Sequence, residues 1–209
     1  AVKTKIGKVY VATGDEKIYQ NINSIGGNCV LTKKKHKTGT DRIYEALNRL
    51  GISKYEYVLN LQGDEPMINI SDIKRLYNYT KKYKLKMATL ACYVKDQKKL
   101  KNKNIVKVKT SSKLSHSTSS RAINFERIIK NRNFKNIYHH IGIYIYKINI
   151  LKKIVLLDQT KKEKKLKLEQ LRALENKIPI HVVLAKNVPI GVDTPRDYKI
   201  IKNILAKKN

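Results

Sequence analysis

Short runs of β-branched and aromatic residues alternate with helical segments along nearly the whole chain. The alternation predicts strands at 7–13, 28–32, 57–62, 86–94, 105–109, 138–146 and 180–185. Helical periodicity predicts helices at 15–25, 41–50, 71–82 and 166–176 and a last helix after 194, with Thr40, Ser71 and Thr194 as N-caps. Strands and helices at this spacing indicate an α/β fold with a mostly parallel central sheet.

The chain length fits a single domain, residues 1–209, with a sizeable buried core. No apolar run reaches about 18 residues and no hydrophobic segment opens the chain, so we predict neither a membrane span nor a signal peptide. Cys29 and Cys92 have no ligand-like spacing, which fits a reduced, cytoplasmic setting. The polar stretch at 110–133 shows no regular pattern and is predicted to serve an interface or a binding site.

The formal net charge is +30, yet its distribution argues against nucleic-acid binding. Of the 46 basic residues, 38 are lysine and eight are arginine, and the lysines are spread over nearly every segment. Nucleic-acid binders favour arginine for bidentate contacts and add stacking aromatic residues. We therefore expect long-range attraction of anions rather than recognition of nucleic acid.

An acidic turn follows the strand predicted at 57–62. The apolar run ends in Gln-Gly-Asp-Glu-Pro, residues 62–66, whose carboxylates are Asp64 and Glu65. The carboxyl ends of strands form the ligand-binding edge of an open α/β sheet, and glycine allows a close approach. An acidic pair at that edge suits a magnesium–nucleotide site. The alternative is an ordinary acidic turn, which describes most Gly-Asp pairs.

A second acidic position precedes the last predicted helix. Thr194 as N-cap, Pro195 at the first helical position and Asp197 in the first turn make a well-formed helix start. That explanation does not account for Asp193, which stands just before the cap. Together with Asp64, it would offer hard oxygen ligands to Mg²⁺ from two loops.

Three further segments carry polar side chains that suit either a binding site or a solvated surface. Residues 36–42 enter a helix, where exposed backbone N–H groups suit an anion or a base edge; a capped helix with solvated charges is the alternative. The leucines at 168–174 account for packing, which leaves Glu169 and Gln170 for a polyhydroxylated ligand or for solvent. Arg121 follows the serine-rich stretch and would suit a carboxylate or phosphate.

The strand predicted at 138–146 separates its side chains onto two faces. His139 and three isoleucines share one face, which is expected to pack on the core. His140, Gly142 and Tyr144 share the other face, which is polar and roomy at its glycine and is predicted to line a pocket. A lone histidine in a strand is more often structural, and of the adjacent pair we expect His140 to reach the pocket.

In this order, the segments resemble one family, the 3-deoxy-manno-octulosonate cytidylyltransferases, or CMP-KDO synthetases. The matching segments are 11–13, 36–42, 61–68, 87–91, 104–108, 120–122, 140–146, 168–174 and 191–195. Each is a weak signal alone, but together they run from near the start of the chain almost to its end. The resemblance implies a Rossmann-like, glycosyltransferase-A-like nucleotidyltransferase sandwich, usually a homodimer, with residues 110–165 in the dimer interface or sugar site.

The resemblance also implies a reaction. CTP and KDO would give CMP-KDO and pyrophosphate for lipopolysaccharide synthesis, with Mg²⁺ as cofactor, and the anomeric hydroxyl of the sugar would attack the α-phosphate. Asp64 and Asp193 would be the catalytic residues and would hold Mg²⁺. The other implied site residues are His36, Gly39, Arg42 and Gln62 around the nucleotide, and Gln62, Arg121, His140, Tyr144, Glu169 and Gln170 around the sugar.

The chain departs from the family pattern at three places. The family opens with a strand and a basic, Gly-containing loop that grips the triphosphate; neither is found here, which predicts an N-terminally truncated and nearly inactive form. The usual Asp after Val-Ala-Thr is Gly14, and residues 123–126 replace a proline-rich stretch. The alternatives are a cytidylyltransferase for another 2-keto sugar acid, an inactive remnant or, from a different class, a basic nucleic-acid-binding protein, which the lack of a recognised binding motif disfavours.

Overall fold

A mixed sheet of six strands forms the centre of the fold. The computed structural model describes residues 1–51, 55–94, 98–129, 135–192 and 194–207. The strands in these ranges are β1 Val11–Thr13, β2 Cys29–Leu31, β3 Tyr57–Asn60, β4 Met87–Tyr93, β5 Lys107–Thr110, β6 Ser120–Glu126, β7 Ile137–Lys147 and β8 His181–Leu184. The helices are a 3₁₀ turn at Val2–Thr4, α1 Glu16–Ser24, α2 Gly39–Arg49, α3 Ile70–Lys82, α4 Lys98–Lys101, α5 Ile148–Leu156, α6 Lys161–Leu166, α7 Gln170–Glu175 and α8 Pro195–Ala206. None of these helices is long and apolar enough to cross a membrane.

The strand order in the sheet is β3-β7-β4-β8-β6-β5, and β5 also pairs with β7, so one end of the sheet closes on itself. Strands β3, β4, β5 and β8 point the same way, while β6 and β7 run in the opposite direction between them. The α/β class is confirmed, but the sheet is mixed rather than mostly parallel in its pairing. In the described part of the chain, only β4–β8 and the separate β1–β2 pair are parallel. The periodicity of a strand does not encode its direction, which depends on the connections.

The two faces of the sheet carry separate hydrophobic cores. Three isoleucines of β7 pack on one face with Leu76 of α3. Tyr144 and Tyr146 lie on the other face, in the core that includes residues of α5 and α7. The alternation predicted for 138–146 is confirmed, although both tyrosines are only 1% exposed. The tyrosine face is therefore a packed layer rather than an open wall.

A bulge in β7 interrupts its pairing with β4. Thr89 pairs with Tyr144, whereas the next residue, Leu90, pairs with Ile141, so two residues of β7 are left without partners in β4. The Thr89 hydroxyl donates a hydrogen bond of 2.7 Å to the carbonyl of Ile143. This bond satisfies a backbone group that the broken ladder would leave buried and unpaired.

Two helix starts differ from the predicted ones. The N-cap of α2 is Thr38 rather than Thr40, and the N-cap of α3 is Asn69 rather than Ser71. In both cases the side-chain oxygen of the cap accepts a hydrogen bond from a first-turn N–H. Thr40 is instead buried, so tertiary packing decides between neighbouring residues that could each cap a helix. The predicted cap Thr194 is confirmed and forms a capping box in α8.

Other boundaries predicted from the sequence are wrong. The stretch at 110–133 contains β6, the strand predicted at 7–13 is shortened to β1, and α5 was not predicted. The helix predicted at 166–176 is shortened to α7, and the segment before it forms a further helix, α6, which ends at Lys167 in a left-handed conformation with φ of 53°. Only Ser120, Ala122 and Phe125 of β6 are buried, so the strand lacks the regular alternation that would reveal it.

Candidate functional site

The acidic turn after β3 and the segment before α8 lie side by side. The turn is closed by the Glu65 N–H, which donates to the Gln62 carbonyl at 3.3 Å. Asp64 is exposed in this turn. The Val192 N–H donates to the Asp64 carbonyl at 2.8 Å. A Cβ on Gly191 would lie 3.4 Å from the same oxygen, which is an ordinary van der Waals contact, so this segment packs directly on the turn.

Asp193 lies outside the described residues, so its pairing with Asp64 stays a prediction. Its neighbour Val192 is nevertheless hydrogen-bonded to the Asp64 turn. Among the residues that the structure describes, no group of three His, Cys, Asp or Glu side chains could hold a metal ion. Mg²⁺ requires no such group, because one or two carboxylates together with substrate phosphates commonly hold it. The exposed carboxylate of Asp64 therefore fits Mg²⁺.

Gln62 lies over the bulge in β7. A Cβ placed on Gly142 would lie 3.6 Å from the amide nitrogen of Gln62 and 3.7 Å from its amide oxygen. These are ordinary van der Waals distances, so the Gln62 amide packs directly over Gly142, beside the acidic turn. An amide both donates and accepts hydrogen bonds, so it can contact a sugar hydroxyl or a phosphate oxygen there.

His140 is buried in β7 and is neutral. Its Nε2 lies 3.0 Å from Thr89 Oγ1. Since the Thr89 hydroxyl proton points at the Ile143 carbonyl, Nε2 must donate, and Nδ1 is left as an acceptor. Burial, with a smaller contribution from the adjacent His139, lowers the pKa of His140 to about 3. The ring can therefore orient neighbours but carries no charge at neutral pH.

The free energy of unfolding should fall as the pH drops below about 6.5, the usual pKa of a histidine in an unfolded chain. Between that pH and the folded pKa of about 3, the unfolded state binds a proton at His140 that the folded state does not. The loss should approach about 1.4 kcal/mol per pH unit in this window. Urea titrations at a series of pH values from neutral to mildly acidic measure the slope.

The matched variant for that measurement is His140→Gln, which keeps a hydrogen-bonding nitrogen but does not titrate. We expect its stability to depend less steeply on pH than that of the wild type, since other groups titrate equally in both proteins. Identical slopes in the two proteins would show that His140 is not buried in the neutral form.

Two buried tyrosines connect His140 to the start of α2. The Tyr144 ring centroid lies 5.4 Å from that of His140 and 5.8 Å from that of Tyr146. The Tyr146 hydroxyl lies 3.4 Å from Thr40 Oγ1. The Thr40 N–H in turn donates to Glu169 Oε2 at 3.3 Å. A path of polar groups therefore runs from β7 through the first turn of α2 to Glu169.

The Tyr144 hydroxyl is a buried polar group that the described part of the protein leaves without a hydrogen bond of good geometry. Burial raises the pKa of Tyr144 well above its usual value, and Tyr146 and Glu169 raise it further, although the nearby Thr89 hydroxyl acts against them. Tyr144 therefore keeps its proton and remains a donor. The amide nitrogen of Asn60, which pairs with Tyr144 in the sheet, also lacks a hydrogen bond of good geometry, although Asn60 is close enough to the Tyr146 hydroxyl to act against the raised pKa of Tyr146. Unsatisfied buried groups are costly and need a partner, which an ordered water or a bound ligand would supply.

Gln170 and Arg121 lie in different surroundings. Gln170 is 5% exposed and begins α7. Arg121 is exposed on β6, where it pairs with His181. Its neighbour Ala122 packs in the same core as Tyr144, so the alternation along β6 turns Arg121 to the opposite face of the sheet. The structure does not bring Arg121 to the polar path, and its predicted contact with the sugar stays a prediction.

The predicted nucleotide segment makes contacts with its own neighbours. His36 Nε2 lies 2.5 Å from Glu45 Oε2. Arg42 donates from Nη1 and Nη2 to the carbonyls of residues 33–34, at 3.0 and 3.2 Å. Gly39 is exposed as the first residue of α2, and a Cβ there would meet no atom within 4 Å. The backbone at Gly39 is thus open to a ligand, whereas Arg42 shapes the preceding loop.

Gly14, where the resembled family has Asp, is explained by Arg42. A Cβ on Gly14 would lie 2.7 Å from Arg42 Nη1 and 2.7 Å from the carbonyl oxygen of Lys33. Both atoms belong to the network that holds the loop at residues 33–34. An aspartate at position 14 would therefore displace this loop, and the departure follows from local packing.

Three polar residues of the site escaped prediction in these roles: Asn60, Thr89 and Thr40. Thr89 carries a usable signal, because it is the one hydroxyl residue among apolar neighbours at 87–92. Its complete burial means that the hydroxyl must find a partner. Asn60 and Thr40 carry no such signal, since their contacts come from β7 and α7, which are distant in sequence.

The chain matches known proteins over nearly its whole length. The family model described as "Cytidylyltransferase" matches residues 1–181. The 3-deoxy-manno-octulosonate cytidylyltransferase of Bartonella henselae is 37% identical over 207 residues, covering 99% of this chain and 84% of that protein. The enzyme of the same name from Thermodesulfovibrio yellowstonii is 39% identical over 209 residues, covering 96% of this chain and 82% of that protein.

A solved structure shows the same likeness in three dimensions. It is the structure of CMP:2-keto-3-deoxy-manno-octonic acid synthetase complexed with CTP, with a TM-score of 0.85 at 28% identity. The match covers 98% of this chain and 83% of that chain. The predicted nucleotidyltransferase fold is thus confirmed. Because the family model spans most of the chain and both relatives match nearly all of it, the chain belongs to the 3-deoxy-manno-octulosonate cytidylyltransferase family, a family of nucleotidyltransferases.

Proposed function

We propose that the protein transfers a cytidylyl group from CTP to KDO, giving CMP-KDO and pyrophosphate for lipopolysaccharide synthesis. The observation that carries this proposal is the position of Gln62, which joins the acidic turn at Asp64 to the bulge between His140 and Tyr144. The carboxylate of Asp64 suits a metal ion that binds the phosphates of a nucleotide. The neutral buried donors next to it, His140 and Tyr144, suit the hydroxyl groups of a polyhydroxylated acid. The names of the relatives and the CTP complex of the similar structure support these substrates.

The proposed reaction is a displacement at phosphorus. The anomeric oxygen of KDO forms a bond to the α-phosphorus of CTP, the bond from that phosphorus to the pyrophosphate oxygen breaks, and the hydroxyl proton passes to solvent. Asp64 and Asp193 would hold Mg²⁺, which when bound supplies positive charge beside the phosphate oxygens. The protein's own contribution is to position the two substrates and to present fixed dipoles.

The buried polar groups would select the sugar. Tyr144 keeps its proton and offers a hydrogen-bond donor, and Gln62 and Gln170 offer amides that both donate and accept. Glu169 offers an acceptor that already faces the Thr40 N–H. An analogue that lacks a matching hydroxyl would leave such groups unpaired, which can lower kcat/KM by about 10⁴-fold.

Pyrophosphate release from CTP tests the proposal. We expect release only when CTP, KDO and Mg²⁺ are all present, at the low rate predicted for a sequence without the basic triphosphate loop, and none after EDTA is added. ATP and UTP in place of CTP, and sialic acid in place of KDO, should support little turnover. Faster turnover with sialic acid would assign the protein to another 2-keto sugar acid. Salt-sensitive binding of generic RNA without any turnover would overturn the proposal.

We also propose that the protein works as a homodimer in the cytoplasm, with residues 110–165 in the interface. Among the residues that the structure describes in this segment, three large apolar side chains, Ile123, Ile128 and Leu156, are 52%, 54% and 74% exposed, and a partner would cover them. Light scattering after size-exclusion chromatography should give twice the chain mass of 24.2 kDa. A mass equal to that of one chain would contradict the dimer.

A further inference from the structure

A buried cluster of charges joins α6 and α7 to the first turn of α2. Arg172 of α7 is 2% exposed. Its Nη2 donates to Glu163 Oε1 at 2.7 Å, and its Nη1 donates to Asp41 Oδ1 at 3.3 Å. Glu163 is equally buried, and the Asp41 side chain is 13% exposed. One guanidinium therefore bridges two carboxylates that lie more than a hundred residues apart in sequence.

Glu163 cannot easily leave this cluster. It also accepts hydrogen bonds from Gln159 Nε2 at 3.0 Å and from the Thr160 N–H at 3.2 Å, and its own N–H donates to the Thr160 hydroxyl. Arg172 is thus fixed to α6 on one side. Lysine could not replace it, because only the planar guanidinium can donate to both carboxylates in a fixed geometry.

Asp41 transmits this constraint to the start of α2. Its Oδ2 accepts from the hydroxyl of the N-cap Thr38 at 2.8 Å, and its N–H donates back to Thr38 Oγ1 at 3.3 Å. The neighbouring Thr40 N–H donates to Glu169 Oε2, three residues before Arg172. The first turn of α2 is therefore tied to residues 169–172 at two adjacent positions.

We infer that Arg172 is a positioning residue that couples the nucleotide site to the sugar site. The inference rests on the proposed function, in which residues 36–42 surround the nucleotide and Glu169 contacts the sugar. A nucleotide that orders the first turn of α2 fixes the Thr40 N–H and the Asp41 carboxylate. Through these contacts it fixes Glu169 in place before the sugar arrives. By thermodynamic reciprocity, the sugar tightens nucleotide binding by the same factor.

Calorimetric titration of KDO tests the coupling, with and without the α,β-methylene analogue of CTP, which cannot release pyrophosphate. The analogue should lower the Kd of KDO for the wild type by about fivefold or more. Arg172→Lys and Asp41→Asn should bring this ratio close to one. The matched control is Glu175→Ala, which removes a more exposed ion pair with Lys162 at 3.6 Å and should keep the wild-type ratio.

The ratio of the KDO Kd without the CTP analogue to the Kd with it separates positioning from general destabilisation. Partial loss of the fold weakens KDO binding in both titrations alike and leaves this ratio unchanged. A ratio close to one for the wild type, or a wild-type ratio in both folded variants, overturns the coupling alone. Failure of the wild type to bind either ligand overturns the proposed function and the coupling with it. A ratio lost in Arg172→Lys and Asp41→Asn but kept in Glu175→Ala supports the coupling.

Discussion

Replacing Asp64 by alanine should lower the rate of pyrophosphate release from CTP and KDO by at least about a hundredfold. The carboxylate is exposed in the turn after β3, where it would hold Mg²⁺ beside the phosphates. Its removal should not disturb the fold, because the turn is joined to Val192 through the Asp64 backbone carbonyl, which alanine retains. Steady-state pyrophosphate release measures the rate, and thermal unfolding of the same samples reports the fold.

The matched control is Glu56→Ala, which removes another exposed carboxylate, directly before β3, and should turn over at the wild-type rate. Asp193→Ala should lose activity to the same degree as Asp64→Ala, because we propose that the two residues share one ion. Wild-type turnover in both site variants would rule out the carboxylate pair as the centre of the reaction.

Replacing Arg172 by methionine should cost about 3–5 kcal/mol of unfolding free energy, the usual effect of removing one partner from a buried ion pair. Glu163 would keep its charge at 2% exposure with no cation beside it, and Asp41 would lose its contact with α7. Methionine fills much of the volume of the arginine stem, so the loss reflects charge and hydrogen bonding more than a cavity. Urea denaturation at neutral pH measures the difference.

A second substitution separates charge from packing. Glu163→Gln added to Arg172→Met should recover part of the lost stability, because glutamine needs no counterion. As a control, Lys162→Met removes a largely exposed cation on α6, next to Glu163, and should change the free energy of unfolding by no more than about 1 kcal/mol. A cost of less than about 1 kcal/mol for Arg172→Met would mean that solvent reaches the cluster and compensates the carboxylates.

Local patterns predicted the acidic turn, the two faces of β7 and the capping of α8 because each depends on residues that are close in sequence. The break between α6 and α7 is also local, yet it was missed, since it depends on a left-handed Lys167, a conformation that glycine or asparagine would have signalled. Likewise, β6 was hidden in a serine-rich stretch, because its side chains are buried by Val182 and other residues of strands far away in sequence.

Contacts between distant segments decided the rest of the site. Arg42 looked available for a ligand, but it donates to the carbonyls of residues 33–34 and explains Gly14. The family resemblance places Arg121 with the sugar residues, but the alternation along β6 turns its side chain to the opposite face of the sheet. Neither result could be derived from spacing, since each depends on how a loop or a strand packs against its neighbours.

Hydrophobic periodicity and short motifs are local properties of a chain, so they were enough to predict the α/β class, the position of the acidic turn and the family resemblance. The mixed direction of the sheet, the neutral state of His140 and the attachment of α2 to Glu169 and Arg172 follow instead from tertiary contacts. These features depend on desolvation and on hydrogen bonds between residues up to 131 positions apart. Such contacts exist only once the sheet has brought its strands together.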